Sequence, residues 1–340
     1  VYNNKEIKDD ELFKVLCEVE EINNGDQITY FEILTAAFFY GAKKYNKNIN
    51  VIESGLFHRF DATNIIEQNL ASIVTAIGLD HTDWLPYNER TVDKIIFEKT
   101  SKLLKSKIIV SNQPNKQTLE KIKKSLNSNH SKKIFFNDLY TYSLGENNFF
   151  YYEDEYGGLK LPMPNLIGDF QLSNISAAIA TLRNIKELNI LDNHIKEGIT
   201  KIKSIGRLQE IKSGKLKNIV KKNKLFVDGS HNPLGAKVLA DYLDMIDSNK
   251  HIIVGMMSNK EHQEYLNYFK YKINSITTVD IPNQPNSIKG IELKKKINGF
   301  NKINYKSSIK EALKSLILED EDIVLITGSL YLAGEVLNLN

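Results

Sequence analysis

The chain has 340 residues, 41% of them hydrophobic, and its 45 Lys plus Arg against 42 Asp plus Glu leave a net charge of +3. At roughly 100–200 residues per domain this length makes two domains that need no disulfide or structural metal, and the lone Cys17 rules out an intrachain disulfide or a cysteine-rich zinc site. The longest apolar stretch, Leu34 to Ala42, is nine residues against the roughly 18 of a membrane span, no signal-peptide core lies before Glu11, and the interspersed charges form no nucleic-acid-binding stripe. These features read as a cytoplasmic protein with neither a membrane nor a nucleic-acid partner.

In chain order, Phe31, Leu34, Phe38 and Ala42 share one face of a helix that runs into a short apolar strand, NINVIESG (48–55). ASIVTAIG (71–78) reads as a strand, Val92 to Leu104 as a helix and KIIVSN (107–112) as a strand; Leu119, Ile122 and Leu126 mark the buried face of a further helix. Continuous apolar runs suit strands of a parallel sheet covered on both faces. Two aromatic stretches, KKIFFND (132–138) and NNFFYYED (147–154), break the rhythm and predict irregular or antiparallel strands. Helices from Ser173 and from Asp192 follow, and Gly206 interrupts. The alternation restarts at Arg207 with KLFVDGS, HIIVGMM, NSITTVDI and EDIVLITG. The expectation is an α/β protein of two doubly wound units with a boundary near Ile205, and with ligands at the carboxyl ends of the strands.

Three polar clusters follow predicted strands: ESGLFHRFDATN (53–64), GLDHTDW (78–84) and DGSHNPLG (228–235). Glu53 and His81, at neighbouring strand tips, can meet on one divalent ion, since Mg²⁺ takes one or two protein ligands and fills its shell from phosphates and water. Each polar residue could instead cap a turn, and Asn232-Pro233 is by itself a good helix start. A helix start also offers free amides to a phosphate, so both readings of that cluster can hold. The residues alone reach a two-domain α/β protein with a nucleotide and metal cleft.

The collinear motifs TYFEILTAAFF, ESGLFHRFDATN, SIVTAIGLDHTDWL, FEK, QLSN, GRLQEI, DGSHNP and GSLYLAGEV resemble, across essentially the whole chain, the folylpolyglutamate synthase/dihydrofolate synthase family of the Mur ligase superfamily. The resemblance implies a Mur-ligase-like α/β fold, with a central ATPase-type parallel sheet domain over residues 1–205 and a smaller C-terminal Rossmann-like domain over 206–340. It implies an ATP-dependent ligase that phosphorylates the carboxylate of dihydropteroate or a folate and lets the amino group of L-glutamate attack the acyl phosphate. Negative charges converge in such a reaction, which calls for Mg²⁺ and positive side chains; ATP and Mg²⁺ are the implied cofactors and a monomer the implied state. By matched position, Glu53 and His81 are implied metal ligands and Lys99, in FEK, a catalytic lysine carried as a carbamate that serves a second metal. Asn174 in QLSN, Arg207 in GRL, and Asp228 and His231 in DGSH are implied ATP contacts, with His231 also catalytic. The site would close as the two domains approach. Tyr331, Met256 and Met257 read as packing, and Asn259, before Lys260, stands where the family usually has Asp.

The chain also departs from the family pattern. No Gly-rich phosphate loop ending in Lys is found in the 340 residues; Gly214-Lys215 is followed by Leu216, lacks the upstream Gly and lies in the second unit. The resemblance places that loop before Val1, so a start inside a longer reading frame is expected. The alternatives are a non-catalytic folate- or nucleotide-binding remnant, or another Mur-superfamily amide ligase. Phe57 and His58 stand where the family has two glycines, and His81 and Lys99 are 18 residues apart, with PYNER (86–90) as a short insertion.

Overall fold

The computed structural model of the protein describes residues 5–45 and 47–340. The chain opens with a helical hairpin, α1 (Asp9–Asn23) and α2 (Tyr30–Ala42), closed by Val15, Val19 and Ala37. Thr29 and Glu32 form a capping box that fixes where α2 starts. The strand expected over 48–55 does not form: the segment is irregular and Val51 is 93% exposed. A strand needs a neighbour for its backbone groups, and here the carboxylate of Asp61 takes the Gly55 and Leu56 amides instead.

β1 (Ala71–Val74), α3 (Val92–Thr100), β2 (Lys107–Val110), α4 (Lys116–Ser125) and β3 (Lys133–Phe135) alternate as the sequence suggests, and the strands pair in parallel in the order β1-β2-β3. Thr91 caps the start of α3, which ends at Thr100, short of the expected Leu104. KKIFFND, read as irregular or antiparallel, supplies the parallel strand β3; strand direction is set by pairing with distant β2, which aromatic content does not report. β4 (Tyr140–Leu144), β5 (Phe149–Asp154) and β6 (Gly157–Pro162) form an antiparallel meander. Its inward Phe150, Tyr152 and Leu161 pack with Leu172 and Ile179 of α5 (Phe170–Asn184) and Ile195 of α6 (Asp192–Lys201).

The remainder builds a six-stranded sheet. In chain order come β7 (Gln209–Glu210), α7 (Lys215–Val220), β8 (Lys224–Val227), α8 (Pro233–Asp244), β9 (Lys250–Val254), α9 (His262–Asn267), β10 (Ser275–Val279), α10 (Gly290–Lys296), β11 (Ile303–Lys306), α11 (Ile309–Ser315), β12 (Ile323–Thr327) and α12 (Leu330–Leu339). The spatial order is β11-β10-β9-β12-β8-β7, parallel except for β7. β12 lies between β8 and β9, so the chain order switches there and opens a crevice at the carboxyl ends of these strands. Both sheet faces are covered, one by a core with Leu239, Tyr265 and Phe269, the other by a core with Leu216, Leu313 and Leu332. The turn from β12 into α12 requires Gly328: its φ is +105°, and a Cβ there would sit 2.7 Å from the Gly255 carbonyl oxygen. Among the described residues no helix is long and apolar enough to cross a membrane.

Candidate functional site

The loop 53–64 is held by two side chains. Asp61 accepts the amides of Gly55 (2.9 Å) and Leu56 (3.0 Å) on one oxygen and the Thr63 amide and hydroxyl on the other. Arg59 grips Glu98 of α3 through two parallel bonds of 2.7 and 2.8 Å, and its own amide donates to the Glu98 carbonyl. The next residue on α3, Lys99, reaches back to the Leu56 carbonyl at 3.1 Å. Loop and helix are thus locked together, and burial lowers the Lys99 pKa even though Asp80, Asp61 and Glu53 lie within electrostatic reach. Phe57 does not crowd the turn: its ring stands edge-on to His81, centroids 6.2 Å apart, and 5.9 Å from the Lys99 ammonium.

After β1 the chain turns at Asp80 and His81, and His81 takes a left-handed backbone (φ 56°) stabilised by its amide donating to Asp80 Oδ1 at 2.8 Å. Burial lowers the His81 pKa, partly opposed by Asp80, so the imidazole is neutral near neutral pH and free to act as a ligand. His81 is the hub of the cluster: Asp80, Lys260, Lys99 and His231 all lie within electrostatic reach of it.

The six-stranded sheet contributes the facing wall from the carboxyl ends of β8 and β9. Asp228, at the tip of β8, is 3% exposed, and its two oxygens accept the amides of Leu208 and Ser230, each at 2.7 Å. Burial raises its pKa. The His231 ring nitrogen Nδ1 lies 3.1 Å from the Gly229 carbonyl; a carbonyl only accepts, so Nδ1 carries the proton and Nε2 the lone pair. Burial lowers the His231 pKa, which keeps that lone pair available. Asn232 caps α8 with its oxygen, accepting the Gly235 amide at 2.8 Å, and with its nitrogen donates to Asp80 across the crevice at 2.7 Å. Lys260 pairs with Asp80 at 3.3 Å and Asn259 donates to Asp83 at 2.7 Å. A Cβ on Gly78 would meet Leu234 at 3.3 Å, so the seam is also tight against α8. Burial pushes the Asp80 carboxyl up, but His81, Lys260 and Asn232 outweigh it and hold the group ionised.

Four of the residues singled out in the sequence therefore share this seam by contact or electrostatic reach, Glu53, His81, Lys99 and His231, while Asp228 is occupied by the Leu208 and Ser230 amides beside it. Arg207 is exposed and within reach of Asp228 and His231. Asn174 stands apart on α5, bonded to Gln171 at 3.2 Å. Among the described residues no three His, Cys, Asp or Glu side chains converge as a closed metal cage. Glu53 and His81 each lie within electrostatic reach of Lys99, and two such donors would suit an ion that draws its other ligands from phosphate and water. Sequence reading passed over Asp80, the residue on which His81, Asn232 and Lys260 all converge. Its one signal was its place beside His81 in GLDHTDW. A cavity of about 330 Å³ opens on this seam. Another, of about 340 Å³, lies at the opposite, amino ends of β2 and β3 beside Lys105, Lys107 and Lys132, away from all these residues.

Comparison with known proteins gives a consistent set of likenesses. Residues 206–330 match the family described as Mur ligase, glutamate ligase domain. A dihydrofolate synthase/folylpolyglutamate synthase of Buchnera aphidicola subsp. Schizaphis graminum (strain Sg) is 28% identical over 342 residues, 97% of this chain and 75% of that protein. One from Bacillus subtilis (strain 168) is 27% identical over 331 residues, 91% and 72% of the respective chains. Among solved structures, E. coli FolC in complex with DHPP and ADP aligns with a TM-score of 0.83 at 23% identity, covering 98% of this chain and 76% of that one. Mycobacterium tuberculosis folylpolyglutamate synthase complexed with ADP and AMPPCP aligns with a TM-score of 0.83 at 18% identity, covering 98% and 80%. The fold is the Mur-ligase-like α/β fold, and the chain spans about three quarters of the length of these relatives.

Proposed function

We propose that this chain, a member of the folylpolyglutamate synthase/dihydrofolate synthase family, is an ATP-dependent carbon–nitrogen ligase that joins L-glutamate to dihydropteroate or a reduced folate. The observation that carries this reading is the seam itself, where His81 and Lys99 from one side meet His231, Asn232 and Lys260 from the other. Likeness to dihydrofolate synthase/folylpolyglutamate synthases along 97% of the chain favours it over a non-catalytic remnant or a different Mur-superfamily ligase. We take residues 1–205 and 206–340 as the two domains.

In this reading the substrate carboxylate attacks the γ-phosphorus of ATP, ADP leaves, the glutamate amine attacks the acyl carbon, and phosphate departs as the amide forms. Glu53 and His81 would hold Mg²⁺, which neutralises charge on the phosphates as they transfer. Lys99 would serve either as a cation beside those phosphates or, once carbamylated, as a further oxygen donor; burial lowers its pKa, the direction that favours the neutral amine carbamate formation needs. His231, with its lone pair on Nε2, is placed to accept the proton released by the attacking amine. Arg207 faces the nucleotide from the exposed side of the crevice, and Asn174 is assigned to ATP by its motif. Asp228 contributes by fixing the backbone that presents Arg207, Leu208 and His231.

The test is a steady-state assay of ADP release on the protein expressed from the whole reading frame that encodes these 340 residues. ADP should form only when ATP, Mg²⁺, glutamate and the pteroate or folate are all present, and His231→Ala should lower kcat about 100-fold or more. ADP release that ignores glutamate and folate, or an unchanged kcat in the variant, would refute the reading.

A further inference from the structure

Two residues of PYNER, which lengthens the run between His81 and Lys99, line the 330 Å³ cavity on the seam: Tyr87 and Arg90. The turn they make is arranged around Arg90. Its Nε donates to the carbonyl of buried Leu85 at 3.2 Å, and its guanidinium lies 5.7 Å from the centre of the Tyr87 ring. Arg59 and Arg183 are each committed to carboxylates, whereas Arg90 has no acidic partner among the described residues. Lys260, the other cation of the lining, already pairs with Asp80. Glu261 and Glu264, at the start of α9, line the same cavity, together with His231.

This lining has mixed sign. A polyphosphate chain would meet Glu261 and Glu264 as like charges, but an acidic amino acid carries an ammonium for those carboxylates and a second carboxylate for a free guanidinium. A planar guanidinium and a carboxylate make paired, charge-assisted hydrogen bonds, the pairing that best tells an acid from its amide. We propose that Arg90 is a specificity residue for the amino-acid substrate, binding the side-chain carboxylate of L-glutamate while its amine, the reacting group, lies toward His231, Glu261 and Glu264. This deepens the ligase reading above and rests on it.

The experiment compares glutamate with glutamine as amino-acid substrate in wild type, Arg90→Ala and Arg90→Lys, by ADP release with ATP and folate saturating. Arg90 is exposed on a short turn, so the variants should melt with the wild type. Arg90→Ala is expected to raise the KM for glutamate about 10–100-fold with kcat within about 3-fold, and to erode the preference for glutamate over glutamine by the same factor; Arg90→Lys should recover part of both. An unchanged KM and unchanged preference in an active Arg90→Ala protein would overturn the assignment of Arg90 while leaving the ligase reading intact. A wild type that forms no ADP in response to glutamate would overturn the ligase reading, and this role with it.

Discussion

Single side chains hold the loop 53–64, and Glu98 shows how. It is 5% exposed yet ionised: burial alone would raise its pKa, but the paired bonds from Arg59 and the Lys94 ammonium at 3.3 Å outweigh burial and hold it below the usual 4.5. The unfolded chain therefore takes up this proton at a higher pH than the native state. The stability that the pair confers is complete above the unfolded value and is lost as pH falls through the lower native one. Arg59→Met, which leaves the buried carboxylate with Lys94 as its one remaining cation, should lower the urea midpoint at pH 7. The cost should shrink as pH falls below the unfolded value and Glu98 becomes protonated; a cost independent of pH would mean that Arg59 acts by packing alone. His81 and His231 follow the opposite logic, since burial keeps each neutral near neutral pH, the form needed for a ligand or a base. Of the departures from the family pattern, Phe57 becomes intelligible only in three dimensions, as the ring between His81 and Lys99.

At the scale of elements, the sequence was most legible where pattern and partner agree. The strands KLFV, HIIV, SITTV and IVLIT are apolar throughout because both faces of their sheet are covered, and each appears within a residue or two of its expected place. NINVIESG has similar apolar content but no partner strand, and no local pattern reports whether a neighbour exists. β7 and β11 went unread because two residues, or four partly exposed ones, carry too little periodicity. Site residues were legible where they sat in long motifs at strand ends. Asp80 was not, because its role depends on Asn232 and Lys260, distant in sequence and brought near only by folding. Asp228 is the clearest case of a motif residue serving an element: it ties the start of β7 to the tip of β8 by accepting two amides. Asp228→Asn puts an amide nitrogen against one of those N–H groups and should lower stability by about 1–3 kcal/mol by denaturant titration. Wild-type stability in the variant would show that the backbone holds this turn without the carboxylate.

Across the whole molecule, the site exists only where two parts of the chain meet. One side carries Glu53, His81 and Lys99; the other carries His231, Asn232 and Lys260. Asp80 sits between them with bonds to both, so the contact that closes the seam also sets the electrostatics of His81. Opening the seam would separate the imidazole proposed as the base from the lysine and carboxylate proposed to meet the phosphates, which couples chemistry to closure. The seam is tight where the bare backbone of Gly78 lies against Leu234, since a Cβ there would come within 3.3 Å of that side chain.

The acyl phosphate route proposed above has the substrate carboxylate activated by transfer of a phosphoryl group within this seam. The most direct measurement uses dihydropteroate labelled with ¹⁸O in its carboxylate, turned over with ATP, Mg²⁺ and glutamate by the protein from the whole reading frame, with mass spectrometry of the released phosphate. If the carboxylate oxygen attacks phosphorus and leaves when the amide forms, each phosphate released carries one labelled oxygen. Amide product accompanied by unlabelled phosphate would contradict the acyl phosphate route and the role assigned to the seam.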